Sequence, residues 1–201
     1  MTTPAGRGRP RDAAVDLAIL QAGLELFIDR GVEGTSIEQI AKKAGVGKPA
    51  IYRRWAGKED LIAAAMETLI AQDAGWASQE AIAAESPYDL VEAAIERAAH
   101  TVTTVQYRAL VARVFGSAVS HPQLMATYWE RYILPRRLLA AALINRAKQL
   151  GTVAADVDVD VAIDMMVGAV TYRVLQPDPP DITEMRRYLR AVYRQIGLLP
   201  G

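Results

Sequence analysis

Four cations and a phenol crowd into eleven positions of this chain. Lys48, Tyr52, Arg53, Arg54 and Lys58 all fall within "AGVGKPAIYRRWAGKED", residues 44–60. Cations at that density suit a polyanion, because each phosphate they neutralise releases a condensed counterion. The phenol hydroxyl can donate to a backbone phosphate as well. Catalytic chemistry has no comparable centre. No G-x-S-x-G is present, and the two histidines, His100 and His121, stand isolated from each other in the sequence. With no cysteine, disulfides, thiolate catalysis and cysteine-held zinc or iron–sulfur sites are excluded. The expectation is a protein that is not an enzyme and has no metal and no cofactor.

Positioning those side chains needs a rigid frame, and the flanking residues predict one. Ile19, Ala22, Gly23, Leu26 and Phe27 recur at helical spacing, giving a helix over about 12–30 that Gly31 can end. Ile37, Ile40, Ala41 and Ala44 make a second, barely two turns long. Thr35 with Glu38, or Ser36 with Gln39, would form its capping box, and the sequence leaves both open. Gly45 ends it, Gly47 opens the next helix, and Pro49 sits in a first turn where its missing N–H costs nothing. Two short helices joined by Ala44-Gly45-Val46-Gly47 form a helix-turn-helix. Val46 and Ile51 are placed to pack beneath the turn. Lys48, Pro49, Ala50, Tyr52, Arg53 and Arg54 then project to solvent, on a helix that fits a B-DNA major groove about 12 Å wide. Trp55 is expected to pack inward.

Residues 12–62, "ILQAGLELFIDRGVEGTSIEQIAKKAGVGKPAIYRRWAGKEDLI" at their centre, resemble the DNA-binding domain of the tetracycline-repressor (TetR) family. The resemblance rests on the paired small residues and Leu-Phe of the first helix, on "G…TS…IA…AGV", on the aromatics at 52 and 55, and on "KEDL". It implies that Thr35, Tyr52 and Lys58 contact phosphate and that Lys48, Pro49 and Ala50 face bases. Position 47 departs from the pattern. Gly47 replaces the frequent hydroxyl residue, leaving only its backbone N–H for phosphate.

Ahead of this head, residues 1–11 read as a flexible basic arm. "RGRPR" alternates Arg7, Arg9 and Arg11 with Gly and Pro, resembles an AT-hook core, and suits the negative, narrow minor groove. Residues 7–58 hold ten Lys/Arg against six Asp/Glu, whereas the whole chain balances at 23 and 23. The first quarter is therefore where a nucleic acid would bind.

The rest of the chain, 58–201, reads as an all-α body. Helices are expected over about 58–76, 87–102, 107–119, 122–150, 157–175 and 182–197, nine in all with the head, and Pro135 predicts a kink or a break near Ile133-Leu134. One head reads only a few base pairs, so a palindromic operator needs a homodimer. The resemblance places the dimer interface on the last two helices. The candidates there are Ala162, Met166, Val167, Gly168, Val170 and Val174, with Met185, Leu189, Val192 and Ile196. It also implies a cavity for an unidentified small-molecule effector among the preceding helices. Candidate lining residues are His100, Thr103, Thr104, Tyr107 and Phe115, then Met125, Tyr128, Trp129 and Tyr132, and finally Met165 and Tyr172.

Together these readings give a sequence-specific transcriptional repressor released by a small molecule. A regulator without an effector, or an activator, is the alternative. A nonspecific architectural binder would be far more basic than a pI of 6.8. No apolar run reaches the roughly 18 residues of a membrane span, and the N-terminus lacks a signal-peptide core, so a cytoplasmic, nucleoid-associated protein without a membrane partner is expected.

Overall fold

Hydroxyls, aspartates and prolines set most of the helix starts. In the computed structural model, which describes residues 13–71 and 77–200, Ser36, Ser78, Thr104, Asp158 and Asp181 each accept a backbone N–H at the start of a helix. The helices are α1 (Ala13–Arg30), α2 (Ile37–Ala44), α3 (Lys48–Tyr52), α4 (Lys58–Ala71), α5 (Gln79–Ala84), α6 (Pro87–Val102), α7 (Val105–Ser117), α8 (Pro122–Tyr128), α9 (Leu134–Gln149), α10 (Val159–Val174) and α11 (Ile182–Gln195). No strand occurs among the described residues.

Most expected elements are found within a few residues. The capping box at α2 is the one formed by Ser36 and Gln39, not Thr35 and Glu38. Short α5 was not expected; Ser78, which caps it, is the signal that could have found it. The end of the helix expected over 58–76 lies outside the described residues beyond Ala71, as does the whole arm with Arg7, Arg9 and Arg11. At Pro135 the chain does not break. Proline has no N–H for the Arg131 carbonyl and its ring would strike it. The turn Trp129–Ile133 widens to a π-helix instead, and the Leu134 N–H reaches the Trp129 carbonyl, so α8 runs on into α9 without a break.

Three apolar clusters hold these helices. Ile19, Ala22, Leu26, Ile37, Ile40, Ala41, Ile51 and Leu61 form the centre of the head. Gly23 lets α1 lie close on α4, since a Cβ there would come within 2.6 Å of Leu61 Cδ2. A second cluster joins head to body: Leu24, Phe27 and Val32 meet Ile62 and Met66 of α4, Leu110 and Val114 of α7, and Leu124 and Tyr128 of α8. The third, with Val91, Ile95, Ile144, Ile163, Val174, Met185 and Leu189 at its heart, fills the body between α6, α9, α10 and α11. The head is therefore not a free module. α1 gives one face to each of two cores.

Candidate nucleic-acid interface

Gly45 makes the turn possible. Its φ of +68° is the left-handed conformation that side chains resist, and its N–H closes α2 on Ala41 and Lys42 carbonyls. Ile51 is fully buried on the underside of α3, and Val46 and Trp55 pack on the same cluster, as expected. With Ile51 locked, α3 presents its other residues outward: Lys48, Pro49, Tyr52 and Arg53 are exposed and Ala50 half-buried. Tyr52 keeps 58% of its surface.

Other side chains are already engaged. Arg54 was expected beside the groove. It turns inward, with Nε on Asp16 of α1 and Nη1 on the Ala50 carbonyl at 2.8 Å, so it clamps α3 to α1. Thr35 is likewise corrected. It is 1% exposed and its hydroxyl donates to the Gly31 carbonyl at 2.7 Å, leaving no side-chain atom for a phosphate. Lys58 donates to the Val32 carbonyl at 3.1 Å, which ties the start of α4 to the corner between α1 and α2. Lys48 reaches back to Glu38 of α2, Nζ to Oε1 2.7 Å. The hydrogen bond from Lys48 holds the Glu38 carboxyl below its ordinary pKa, and the same bond raises the Lys48 ammonium.

Sequence reasoning missed the joint between head and body. Arg113 of α7 donates to the Ile28 and Asp29 carbonyls, both at 2.7 Å, and so caps the C-terminus of α1. His121, just before α8, meets Glu33 at 2.8 Å, and Arg131 pairs with Asp60 at the start of α4. The His121 hydrogen bond lowers the Glu33 pKa. No local pattern signals such contacts, which link residues more than seventy positions apart.

In the body the expected cavity set divides. Tyr107, Met125, Tyr128 and Tyr132 pack against the interior clusters. Burial pushes the three phenols above their ordinary pKa, so they stay neutral donors. Beside them Arg136 of α9 pairs with Glu67 of α4, and one Glu67 oxygen, Oε2, is buried without a partner. The remaining candidates do not join them. Thr104 caps α7, Thr103 bonds the Ala99 carbonyl, and His100 lies at the surface near Arg186. Phe115, Trp129, Met165 and Tyr172 are exposed. Among the described residues, surface grooves occur along Pro87, Tyr88, Leu150 and Leu198, of about 700 Å³, and beside Arg173 and the candidate Tyr172, of about 490 Å³.

The interface candidates are corrected in the same way. Ala162, Val174, Met185, Leu189 and Ile196 are buried within their own subunit, and Met166 and Val170 lean on the same core. Val192, three residues after Leu189 on α11, is half-buried. Two of the candidates, Val167 and Gly168, are exposed instead. The outward face of α10 carries Val161, Met165, Gly168 and Tyr172, flanked by Val167, and on α9 Leu134 and Leu138 are exposed too.

Gly47 allows a simple test of the frame. Its φ of −79° suits any residue, α3 starts there without a side-chain cap, and a Cβ would meet nothing nearer than Pro49 Cδ at 3.6 Å. Gly47→Ser should offer the Ala50 N–H, which now donates only to the Gly47 carbonyl at 2.9 Å, a second acceptor and restrict the unfolded chain. A gain of about 0.5–1 kcal/mol is expected by thermal melting. A loss would mean that the turn is tighter than it looks.

Comparison with known proteins agrees with this geometry. Residues 19–65 match the family described as "Bacterial regulatory proteins, tetR family", and residues 88–192 match "Tetracyclin repressor-like, C-terminal domain". The uncharacterised HTH-type transcriptional regulator YdeS of Bacillus subtilis is 29% identical over 174 residues, 84% of this chain and 82% of that one. An HTH-type transcriptional repressor of Mycobacterium tuberculosis is 34% identical over 90 residues, 45% of this chain and 44% of its own. Among solved structures, the regulator FadR of Bacillus subtilis in complex with stearoyl-CoA overlays with a TM-score of 0.70 at 17% identity, covering 91% of this chain and 98% of that one. No helix among the described residues is long and apolar enough to cross a membrane, and no group of three metal-binding side chains occurs among them. The chain belongs to the TetR family: it is a helix-turn-helix, DNA-binding transcriptional regulator.

Proposed function

We propose that the protein is a homodimeric repressor whose two heads grip a palindromic operator in the cytoplasm and let go when a small molecule enters the body. The observation that carries the DNA half of this reading is α3 itself. Its underside is locked by Ile51, while Lys48, Tyr52 and Arg53 stand free of the core. In this reading Lys48, Pro49 and Ala50 meet base edges, Tyr52, Arg53, Lys58 and the Gly47 N–H meet phosphates, and the arm with Arg7, Arg9 and Arg11 follows the minor groove.

The dimer would form on the apolar stripe of α10, Val161, Met165, Gly168 and Tyr172, widened by Leu134 and Leu138 of α9. Gly168 has nothing near its missing Cβ, so a partner helix can come close. The effector would open the interior between α4, α7 and α8–α9, where Tyr107, Tyr128 and the Arg136–Glu67 pair supply polar groups inside an apolar wall. A protein of this fold, FadR, holds an acyl-CoA, which supports a body able to admit a ligand. Any shift of α4 or α7 would reach the head through Arg113, Arg131 and His121, tilting α1 and changing the distance between recognition helices.

Phosphate contacts position without specifying. Tyr52→Ala should therefore weaken binding to every DNA sequence by about the same factor. Lys58→Ala should lower the slope of log affinity against log salt by roughly 0.9. Titrations on operator and random DNA at several salt concentrations measure both. A change of base preference at constant overall affinity would contradict these roles.

A further inference from the structure

We infer that Glu38, on α2, is a base-reading residue, and that with Lys48 it recognises a single G·C pair in the major groove. The inference rests on the proposed role of Lys48 at base edges. It starts from the pair that joins the two helices of the motif, Lys48 Nζ to Glu38 Oε1 at 2.7 Å, with both side chains about half or more exposed. Glu38 sits in the first turn of α2, where an acid suits the helix dipole, but an exposed ion pair adds little to stability, and neither reason needs the acid on the face that must approach DNA. Phosphate repels it. A carboxylate there helps binding only if it finds a donor on the DNA.

The major groove offers one such donor beside the acceptors that a lysine seeks. Guanine presents O6 and N7, and its partner cytosine presents the N4 amino group. Guanine O6 and cytosine N4 are the two ends of one Watson–Crick hydrogen bond and so lie about 2.9 Å apart. The Lys48–Glu38 separation matches that spacing. An ammonium over O6 and N7 and a carboxylate over N4 can engage one base pair without coming apart, each protein charge keeping its partner. An A·T pair reverses the pattern, placing its amino group on the purine and an acceptor on the pyrimidine. The carboxylate then faces the thymine O4 acceptor and is repelled. Away from such a site, Glu38 also occupies Lys48 and lowers its pull on random phosphates, so the pair trades general affinity for discrimination.

The test is selection of bound sequences from random double-stranded DNA, followed by affinity measurements on the selected site and on the same site with one G·C pair changed to A·T. The full chain is compared with Glu38→Gln, Lys48→Met and the double variant, each checked for its wild-type melting curve. The wild-type pool should fix a G·C pair at one position of each half-site. In Glu38→Gln, preference for that pair over A·T should fall about tenfold or more, while affinity for random DNA rises. The losses from Glu38→Gln and Lys48→Met should be less than additive in the double variant. A wild-type pool with no enriched sequence would remove the DNA-reading assignment of α3 altogether. An enriched pool whose G·C preference is unchanged in Glu38→Gln, or additive losses, would overturn the role of Glu38 alone.

Discussion

Met165→Asp should turn the protein into monomers that keep their helical content and lose specific operator binding. Met165 is 53% exposed on the outward side of α10, one turn from Val161 and beside Gly168. In the proposed dimer that stripe is buried against its copy. A carboxylate without a partner costs several kcal/mol at such a place, and a twofold axis repeats the cost. The dimer dissociation constant should therefore rise about a thousandfold or more. Sedimentation reads the mass and far-ultraviolet circular dichroism the fold. Val170→Asp is the matched control. Val170 leans on the body core, so its carboxylate should lower the melting temperature rather than separate folded chains. A Met165→Asp dimer that still binds its operator would move the interface off α10.

Phe27→Ala should cost about 3–5 kcal/mol, a large share of the 5–15 kcal/mol typical of a whole domain. Phe27 is fully buried where α1 meets α4, α7 and α8, and the cluster around it belongs to head and body alike. Its loss should also blur the angle of the head. Operator affinity should fall even well below the melting temperature, while the salt slope, which counts phosphate contacts, should stay nearly constant. Denaturant melts and DNA titrations separate the two effects. A cost below about 1 kcal/mol would show that α1 is held to the body by its polar contacts and not by this core.

How much could be read beforehand depends on the range of the interaction that decides each feature. Gly45, Ser36 with Gln39, Pro49 and Asp181 with Glu184 act within a few residues, and the helices they start or stop were legible. Helical spacing showed that Ile51 and Val46 lie under the turn because the head is small and each helix has one buried face. On α10, where a core and an outward apolar stripe share one helix, it took residues from both. Val170 and Met165 look alike in sequence, and only the positions of α9 and α11 tell which one faces out. Long cations were hardest of all. Arg53 and Arg54 are neighbours of identical type, yet Arg54 is drawn inward by Asp16, 38 positions away, and Arg53 is left at the surface.

The claim that two heads act together is tested most directly by selecting bound sequences from random double-stranded DNA with the wild-type chain and weighing the complex on the selected site. The expected result is a palindrome whose half-sites lie on one face of the duplex, with two chains or a multiple of two per site. A pool without enrichment, or a single unpaired half-site bound by one chain, would contradict it.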